Sequence, residues 1–486
     1  MSTSPIETLR QACLAPPEQP GEAWLRATGR QVMDLILDDH LHLPTARVGQ
    51  TGTRAELERL LREPPPEVGI ELDQLLADFH TKVLGNAYRT NHPRFFAFIP
   101  AAPSFASILG ECLASGANLF AGVWKEAAGA TQVEIVVLDW FKQLLGYPAE
   151  AAGILTSGGS EASLTALVVA REAIPHADRS KLVLYASEQR HWSIDRAAKI
   201  IGLAPEQIRP LACDADFRLR MDALRDAVAD DRRAGRLPWL VVASAGTTNT
   251  GSVDPLAELA DFASEQSLWL HVDAAYGWPM VLTDEGRRLF DGIDRADSIT
   301  LDPHKWFAQP FEAGGLLVRH GELLGQTFKI RPEYMQDVEP RADEINFCDH
   351  GIALTRRFRA LKIWFSIKLL GLGWFRRLIE HGCALAEYAQ ALVEQAGCFE
   401  ITSPRNLGII CFRFMPRRQL ANEELDALQQ AIAEELFRSG KAFLSTTRLH
   451  GQSTLRLCFV NWRTTAADVE DVVRSLAEIG GRLEKG

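Results

Sequence analysis

The residues with chemical potential stand where apolar runs end. In SITLDPHKWFAQP, Lys305 follows a run that reads as a strand and lies between His304 and Trp306. A bulky indole beside a lysine can wall the amine off from water, which lowers its pKa and frees a neutral nucleophile for a carbonyl. In LWLHVDAAYG, Asp273 ends a second run, where a carboxylate can face a buried cationic nitrogen. The small Ala274 and Ala275 next to it let a flat ring lie close to the backbone. In LTSGGSEASLTALVVARE, a strand meets a Gly-Gly turn and a helix opens at Ser160, with Glu161 in its first turn. Free N–H groups at such a start, with the serine hydroxyl, make a seat for an anion. The segment is neither a Walker loop nor GxGxxG. His191, in SEQRHWSIDRA after the run KLVLYAS, can stack on a planar ring. Thr247 and Thr248, in SAGTTNTGSVDP, bring hydroxyls to another strand end.

Each feature also has a plainer explanation. A lone Lys305 is a surface residue, Asp273 a cap or turn residue, and the Gly-Gly-Ser segment a capped helix. His191 is then a satisfied loop histidine, and the two threonines close a turn. Their order says more: anion seat, stacking histidine, hydroxyl turn, carboxylate and lysine come at successive strand ends. An aldehyde cofactor with a phosphate, an aromatic ring and a basic ring nitrogen needs this set. Pyridoxal phosphate is such a molecule, and its protonated ring is the better electron sink.

The elements that must position these residues are legible as patterns. From about 105 to 320, apolar runs (KLVLYAS, WLVVASAG, LWLHVDAAYG, SITLD, GGLLVRH) alternate with helical patterns such as SEASLTALVVAREAI and DPLAELADFASEQ. Runs apolar on both faces and spaced by helices predict an α/β fold with a mostly parallel sheet covered on both sides. Ligands of such sheets bind beyond the carboxyl ends of the strands. Residues 1–100 read as a helical arm, with amphipathic helices in GEAWLRATGRQVMDLILDDHL and ELDQLLADFHTKVLG joined by the Pro-rich EPPPEVG. Such helices cannot bury their apolar faces alone and need the rest of the chain or a second subunit. The large domain is placed at 101–365, with a polar stretch at about 326–354, and a smaller α+β domain at 366–486.

Composition narrows the function classes. With 52 Lys and Arg against 63 Asp and Glu, the net charge of −11 argues against a nucleic-acid or anionic-membrane partner. The 47% apolar and 24% charged residues suit an ordinary globular protein rather than a disordered one. No apolar run reaches the ~20 residues that span a bilayer, and the N-terminus shows no secretory pattern, so a cytoplasmic protein is expected. Eight scattered cysteines without a CxxC pair read as reduced thiols rather than a disulfide frame or a metal site.

At DPHKW and HVDAAYG the chain resembles the pyridoxal-phosphate-dependent group II amino-acid decarboxylases, above all their aromatic-L-amino-acid decarboxylase branch, from about residue 25 to the C-terminus. The resemblance implies a fold type I pyridoxal-phosphate enzyme and a homodimer with sites at the subunit interface. It implies Lys305 as the lysine that bonds the cofactor, Asp273 on the pyridine nitrogen and His191 stacked on the ring. Gly159, Ser160, Asp302 and His304 are implied around the phosphate side, Thr248 near the coenzyme and Ala275 under its ring. Position 302 departs from the branch, which often has Asn there; an acid beside a phosphate is electrostatically awkward. In the family a mobile loop from the neighbouring subunit carries a tyrosine that delivers a proton, and QTFKIRPEYMQDVEP places Tyr334 there.

The implied reaction removes the α-carboxylate of an amino acid as carbon dioxide, with Tyr334 and His191 returning a proton to Cα before the amine leaves. For the substrate pocket the resemblance implies Phe98, Ile99 and Pro100 in NHPRFFAFIPAAPS, Phe120 in LFAGVW, and Thr355 before RRFRALK. Phe98 and Ile99 suit an aromatic side chain. Gly122 stands where aromatic-specific relatives usually carry a bulky ring, and Thr355 replaces a small residue, so phenyl, indole and aliphatic side chains all stay open. The competing readings are an aldehyde synthase of the same family, a decarboxylase of glutamate or 2,4-diaminobutyrate, a desulfurase or aminotransferase on the same fold, and a non-enzymatic scaffold. Intact His191 and Tyr334 argue against the synthase. Only Cys348 is placed to serve a desulfurase, and a scaffold has no use for a buried lysine–carboxylate pair.

Overall fold

The computed structural model describes residues 4–14, 20–100, 102–330, 332–341 and 343–484, with the backbone alone at Tyr334 and Met335. The chain forms two units that divide between Tyr88 and Arg89. The first contains helices Pro5–Ala12, Glu22–His42, Arg54–Leu61 and Leu72–Asp78, none of which buries a residue fully. Two of them were not expected, although both carry start signals. Ser4 accepts the Ile6 N–H ahead of Pro5, and Thr53 with Glu56 forms a capping box.

In the second unit a seven-stranded sheet has the order β1-β7-β6-β5-β4-β2-β3. The strands are β1 (Ala152–Thr156), β2 (Leu182–Ser187), β3 (Ile208–Leu211), β4 (Leu237–Ser244), β5 (Trp269–Asp273), β6 (Ser298–Leu301) and β7 (Gly314–Val318). From β6 to β3 all neighbours are parallel, and β7 runs antiparallel to both β6 and β1. The Val-, Leu- and Ile-rich runs are buried along nearly their whole length, as a sheet covered on both faces requires. Register then sets the site: Ser244 pairs with Asp273, and Asp273 with Thr300, so the turns after β4, β5 and β6 emerge side by side.

The turn after β6 is anchored from below. Phe307 stacks on Phe375 at 4.1 Å and meets Trp278 at 4.7 Å, while Trp278 meets Phe141 at 4.9 Å. These fully buried rings hold the main chain of Lys305 rigid.

A second sheet, antiparallel in the order β10-β11-β9-β8, forms the small domain from β8 (Phe399–Ile401), β9 (Ile409–Phe414), β10 (Ser445–Leu449) and β11 (Gln452–Cys458). Its hairpin turn puts His450 and Gly451 at φ 48° and 77°, the positive pair that a two-residue turn of this hand needs. The division expected at 365/366 falls inside helix Ala360–Leu370. The next helix, Leu372–Ala396, serves both cores, Phe375 and Leu378 packing with the large one and Leu385 and Val393 with the small one. Residues 89–100, expected as the end of the arm, belong to the second unit. There Phe96 donates its N–H to Phe443 at 2.7 Å and accepts that of Cys458 at 3.0 Å.

Candidate active site

A cavity opens at the carboxyl ends of β4, β5 and β6, lined by His191, Ser244, Gly246, Thr247, Thr248, Asp273, Ala275, Tyr276 and Lys305. The expected His191, Thr248, Asp273, Ala275 and Lys305 thus come together from four separate turns. Ser244, Gly246 and Tyr276 were missed: Ser244 is the last residue of the apolar run VVAS, and Tyr276 follows the alanines of HVDAAYG.

Each side chain is held by its own turn. Asp273 accepts the Ala275 N–H through Oδ1 at 3.2 Å, which orients the carboxylate. The Thr247 hydroxyl is used inside its turn, 2.9 Å from Thr250 Oγ1 and accepting the Ser252 N–H at 3.1 Å, which leaves Thr248 as the hydroxyl available to a ligand. Behind Ser244, the buried Asp254 accepts the N–H groups of Ser244 and Leu219, both at 2.7 Å, while burial pushes its carboxyl up to about 6. His191 caps helix Trp192–Ile200: Nδ1 accepts the Ser193 N–H at 3.3 Å and lies 2.8 Å from the Ser193 hydroxyl. A ring accepting at Nδ1 carries its proton on Nε2. Burial lowers the His191 pKa against the opposing pull of Asp273, so the ring is neutral at physiological pH.

Trp306 does not cover the Lys305 amine as expected. Its indole is fully buried, where apolar area gains most, and stacks on Tyr276 at 5.2 Å. The Lys305 side chain stays 22% exposed, and Nζ lies 3.2 Å from Asp302 Oδ2.

Gly159, Ser160, Asp302 and His304 gather beside the cavity at the start of helix Gly159–Glu172. The preceding Gly158 has no side chain to cap the helix, and Ser160 stands exposed in its first turn. Glu161 reaches back to accept from the Ser157 N–H and hydroxyl at 2.7 and 2.6 Å, which fixes the turn. The helix start also needs Gly314 on β7: a Cβ there would meet the Gly158 Cα at 2.4 Å. His304 accepts the Ala313 N–H at Nδ1, 3.1 Å, with its pKa lowered by burial.

The substrate-wall residues lie elsewhere in the chain. Phe98 is exposed at φ 56°, Ile99 is buried, and neither these nor Pro100 line the Lys305 cavity. Phe120 and Thr355 line a second cavity with Leu119, Phe358, Arg356 and Arg357. There the Phe120 ring fills the space over Gly122, where a Cβ would meet Cζ at 2.8 Å. Arg356 is fixed by a fully buried ion pair with Glu134, which also accepts the Leu155 N–H at 2.9 Å. The Tyr334 side chain lies outside the described residues; its backbone is in the short helix Glu333–Val338.

This donor set fits pyridoxal phosphate: an amine for the aldehyde, a carboxylate for the ring nitrogen, and an uncapped helix start for the phosphate. Fold and site together define a pyridoxal-phosphate enzyme of the α/β class. The pyridoxal-dependent decarboxylase conserved domain matches residues 55–415. An aromatic-L-amino-acid decarboxylase of Bacillus atrophaeus is 40% identical over 93% of this chain and 95% of its own length. A phenylacetaldehyde synthase of Arabidopsis thaliana is 33% identical over 89% of this chain and 91% of its own. Among solved structures, Oryza sativa TDC with PLP and tryptamine matches at a TM-score of 0.91 and 28% identity, over 96% of this chain and 99% of that one. The chain belongs to the pyridoxal-dependent decarboxylase family.

It is accordingly a carboxy-lyase that uses pyridoxal phosphate to decarboxylate an amino acid. Bound here, the cofactor supplies an aldehyde that bonds amines and a ring that takes up the electron pair left as carbon dioxide departs. Lys305 is the amine placed to bond that aldehyde. Asp273 offers the carboxylate that would hold the ring nitrogen protonated. His191 holds a proton at Nε2 on the cavity side of its cap, and Tyr276 closes the wall against the core.

Proposed function

We propose that the substrate is an aromatic L-amino acid, released as its amine, and that the enzyme works as a cytoplasmic homodimer with sites at the subunit interface. The observation that carries the amine product is His191, locked by Ser193 with its proton on Nε2 and lining the same cavity as Lys305 and Asp273. From that position His191 relays a proton, and Tyr334 is the residue that delivers it to Cα. The relatives support the aromatic class, and the Phe120, Leu119 and Phe358 cavity offers apolar walls for such a side chain.

Two features support the dimer. Among the described residues of one chain, none of the expected substrate-wall residues lines the Lys305 cavity, and the helices of the first unit leave Trp24, Leu25 and Leu41 exposed. Eight free cysteines suit a reducing compartment.

The test is a product assay. The purified enzyme with cofactor is offered tryptophan, phenylalanine, tyrosine, DOPA, glutamate and 2,4-diaminobutyrate separately, and products are identified by mass. An amine from an aromatic acid is the expected product. Aldehyde with ammonia and peroxide would move the enzyme to the synthase class, and turnover of glutamate or diaminobutyrate alone would overturn the aromatic assignment.

A further inference from the structure

Helix Glu333–Val338, which carries Tyr334, ends where the chain cannot continue its hydrogen bonds. Pro340 has no N–H to give, and Arg341 donates its own to Glu344 at 2.8 Å. Side chains from elsewhere take the last carbonyls. Lys125 Nζ donates to the Asp337 carbonyl at 2.6 Å, and Asn346 Nδ2 donates to the Val338 carbonyl at 3.0 Å.

Asn346 is 3% exposed, and both ends of its amide are used. Its Oδ1 accepts the Trp124 N–H at 2.9 Å. That is the first N–H of helix Trp124–Leu145, and the preceding Val123 brings no capping side chain. A backbone N–H only donates and a carbonyl only accepts, so the two bonds fix which way round the amide lies. The Asn346 carbonyl accepts the Asp349 N–H at 3.0 Å, which holds the base of the side chain.

The stretch that Asn346 grips at its other end is the one that holds Phe120. It is bonded to the same part of the chain further along: Gly122 accepts the Cys348 N–H and Ala121 donates to the Arg356 carbonyl, both at 3.0 Å. The wall around Phe120 and the end of the Tyr334 helix are therefore one hydrogen-bonded assembly, joined through a buried amide and an exposed lysine.

We propose that Asn346, assisted by Lys125, is a positioning residue for proton delivery: it holds the Tyr334 helix at a fixed place relative to the substrate wall. This deepens the reading of Tyr334 as the proton donor and rests on it. The competitor is dissolved oxygen. When it wins, one amino acid, one O2 and one water leave as aldehyde, carbon dioxide, ammonia and hydrogen peroxide.

Two variants test this. Asn346→Asp keeps an acceptor for the Trp124 N–H and removes the donor to Val338, so the long helix stays capped while the short one is released. Lys125→Met keeps the stem at an exposed position and removes the other hold without a buried change. Trypsin digestion with and without cofactor reads the release by cleavage between 329 and 341. Cleavage is expected to be about three- to tenfold faster than wild type in Asn346→Asp and faster by a smaller factor in Lys125→Met, as loss of one hydrogen bond allows. Equal rates would overturn the proposal. With the six amino acids of the product assay, the peroxide-to-amine ratio is expected to rise in both variants. A lower rate at an unchanged ratio would show a structural role alone and overturn it. Tyr334→Phe run alongside separates the two readings. Peroxide there but not in Asn346→Asp removes the positioning role, and no peroxide in either removes Tyr334 as the donor and the proposal with it.

Discussion

Nδ1 of His191 accepts the backbone N–H of Ser193 at 3.3 Å, and the Ser193 hydroxyl lies 2.8 Å from the same nitrogen. One residue thus caps a helix and has its tautomer chosen by that cap. Replacing it with Asn keeps an acceptor for the helix start but leaves no imidazole proton. His191→Asn is expected to fold with an unchanged melting temperature and to lose about 100- to 10,000-fold in kcat, the range of general acid–base catalysis. Because burial lowers the His191 pKa, the ring stays neutral below its ordinary 6.5. The acid limb of kcat that His191→Asn removes should therefore lie below pH 6.5; a limb above it would contradict this environment.

Tyr334→Phe removes the hydroxyl read as the proton donor and should divert turnover toward aldehyde, ammonia and peroxide. Peroxide release coupled to loss of amine is the readout. Amine alone at the normal rate would remove Tyr334 from the mechanism.

His271 lies on β5 beneath Asp273, with Nδ1 2.9 Å from Ser298 Oγ and Nε2 3.3 Å from Thr300 Oγ1. Burial pushes its pKa down from 6.5 to about 4. The unfolded chain therefore takes up a proton first as pH falls, so native stability declines from about pH 6.5 to about 4 and then levels off. By pH 5 this one group costs about 2 kcal/mol. Asp254, pushed up to about 6, titrates in the same window, but does so equally in wild type and variant. His271→Gln should therefore gain about 2 kcal/mol relative to wild type between pH 7.5 and 5 in urea unfolding; parallel curves would contradict it.

Gly314→Ala places a Cβ 2.4 Å from the Gly158 Cα, so backbone must move at the helix start. A loss of about 1–3 kcal/mol is expected, together with weaker cofactor binding. Gly325, inside helix Glu322–Phe328 with nothing within 4 Å of such a Cβ, is the control. Gly325→Ala should stabilise by up to about 1 kcal/mol. Equal effects at the two positions would contradict the close approach.

The strand-end residues were legible because a covered parallel sheet writes each strand as an apolar run, and the residue after the run marks the site. Lys305, Asp273, His191 and Thr248 were found in this way. Ser244 and Tyr276 were not, since both are written inside runs of small or apolar residues and reach the cavity only through the register of β4, β5 and β6. The antiparallel β7 carries no mark of its direction: residues 302–313 after β6 are long enough for either a crossover or a reversal, and its other neighbour β1 is far off in sequence. The β10–β11 hairpin carried one in its His-Gly turn. The Trp306 indole was misplaced because sequence shows adjacency to Lys305, not which way a ring turns. The acidic character of position 302 was visible, but that its Oδ1 meets no hydrogen-bond partner among the described residues belongs to tertiary packing alone.

The most direct test of the account is to reduce the cofactor-loaded enzyme with borohydride, digest it and locate the modified lysine by mass spectrometry. The expected result is a single pyridoxyl adduct on the peptide carrying Lys305, absent in Lys305→Ala together with the visible absorbance band. An adduct on any other lysine, or a band that survives in Lys305→Ala, would contradict it.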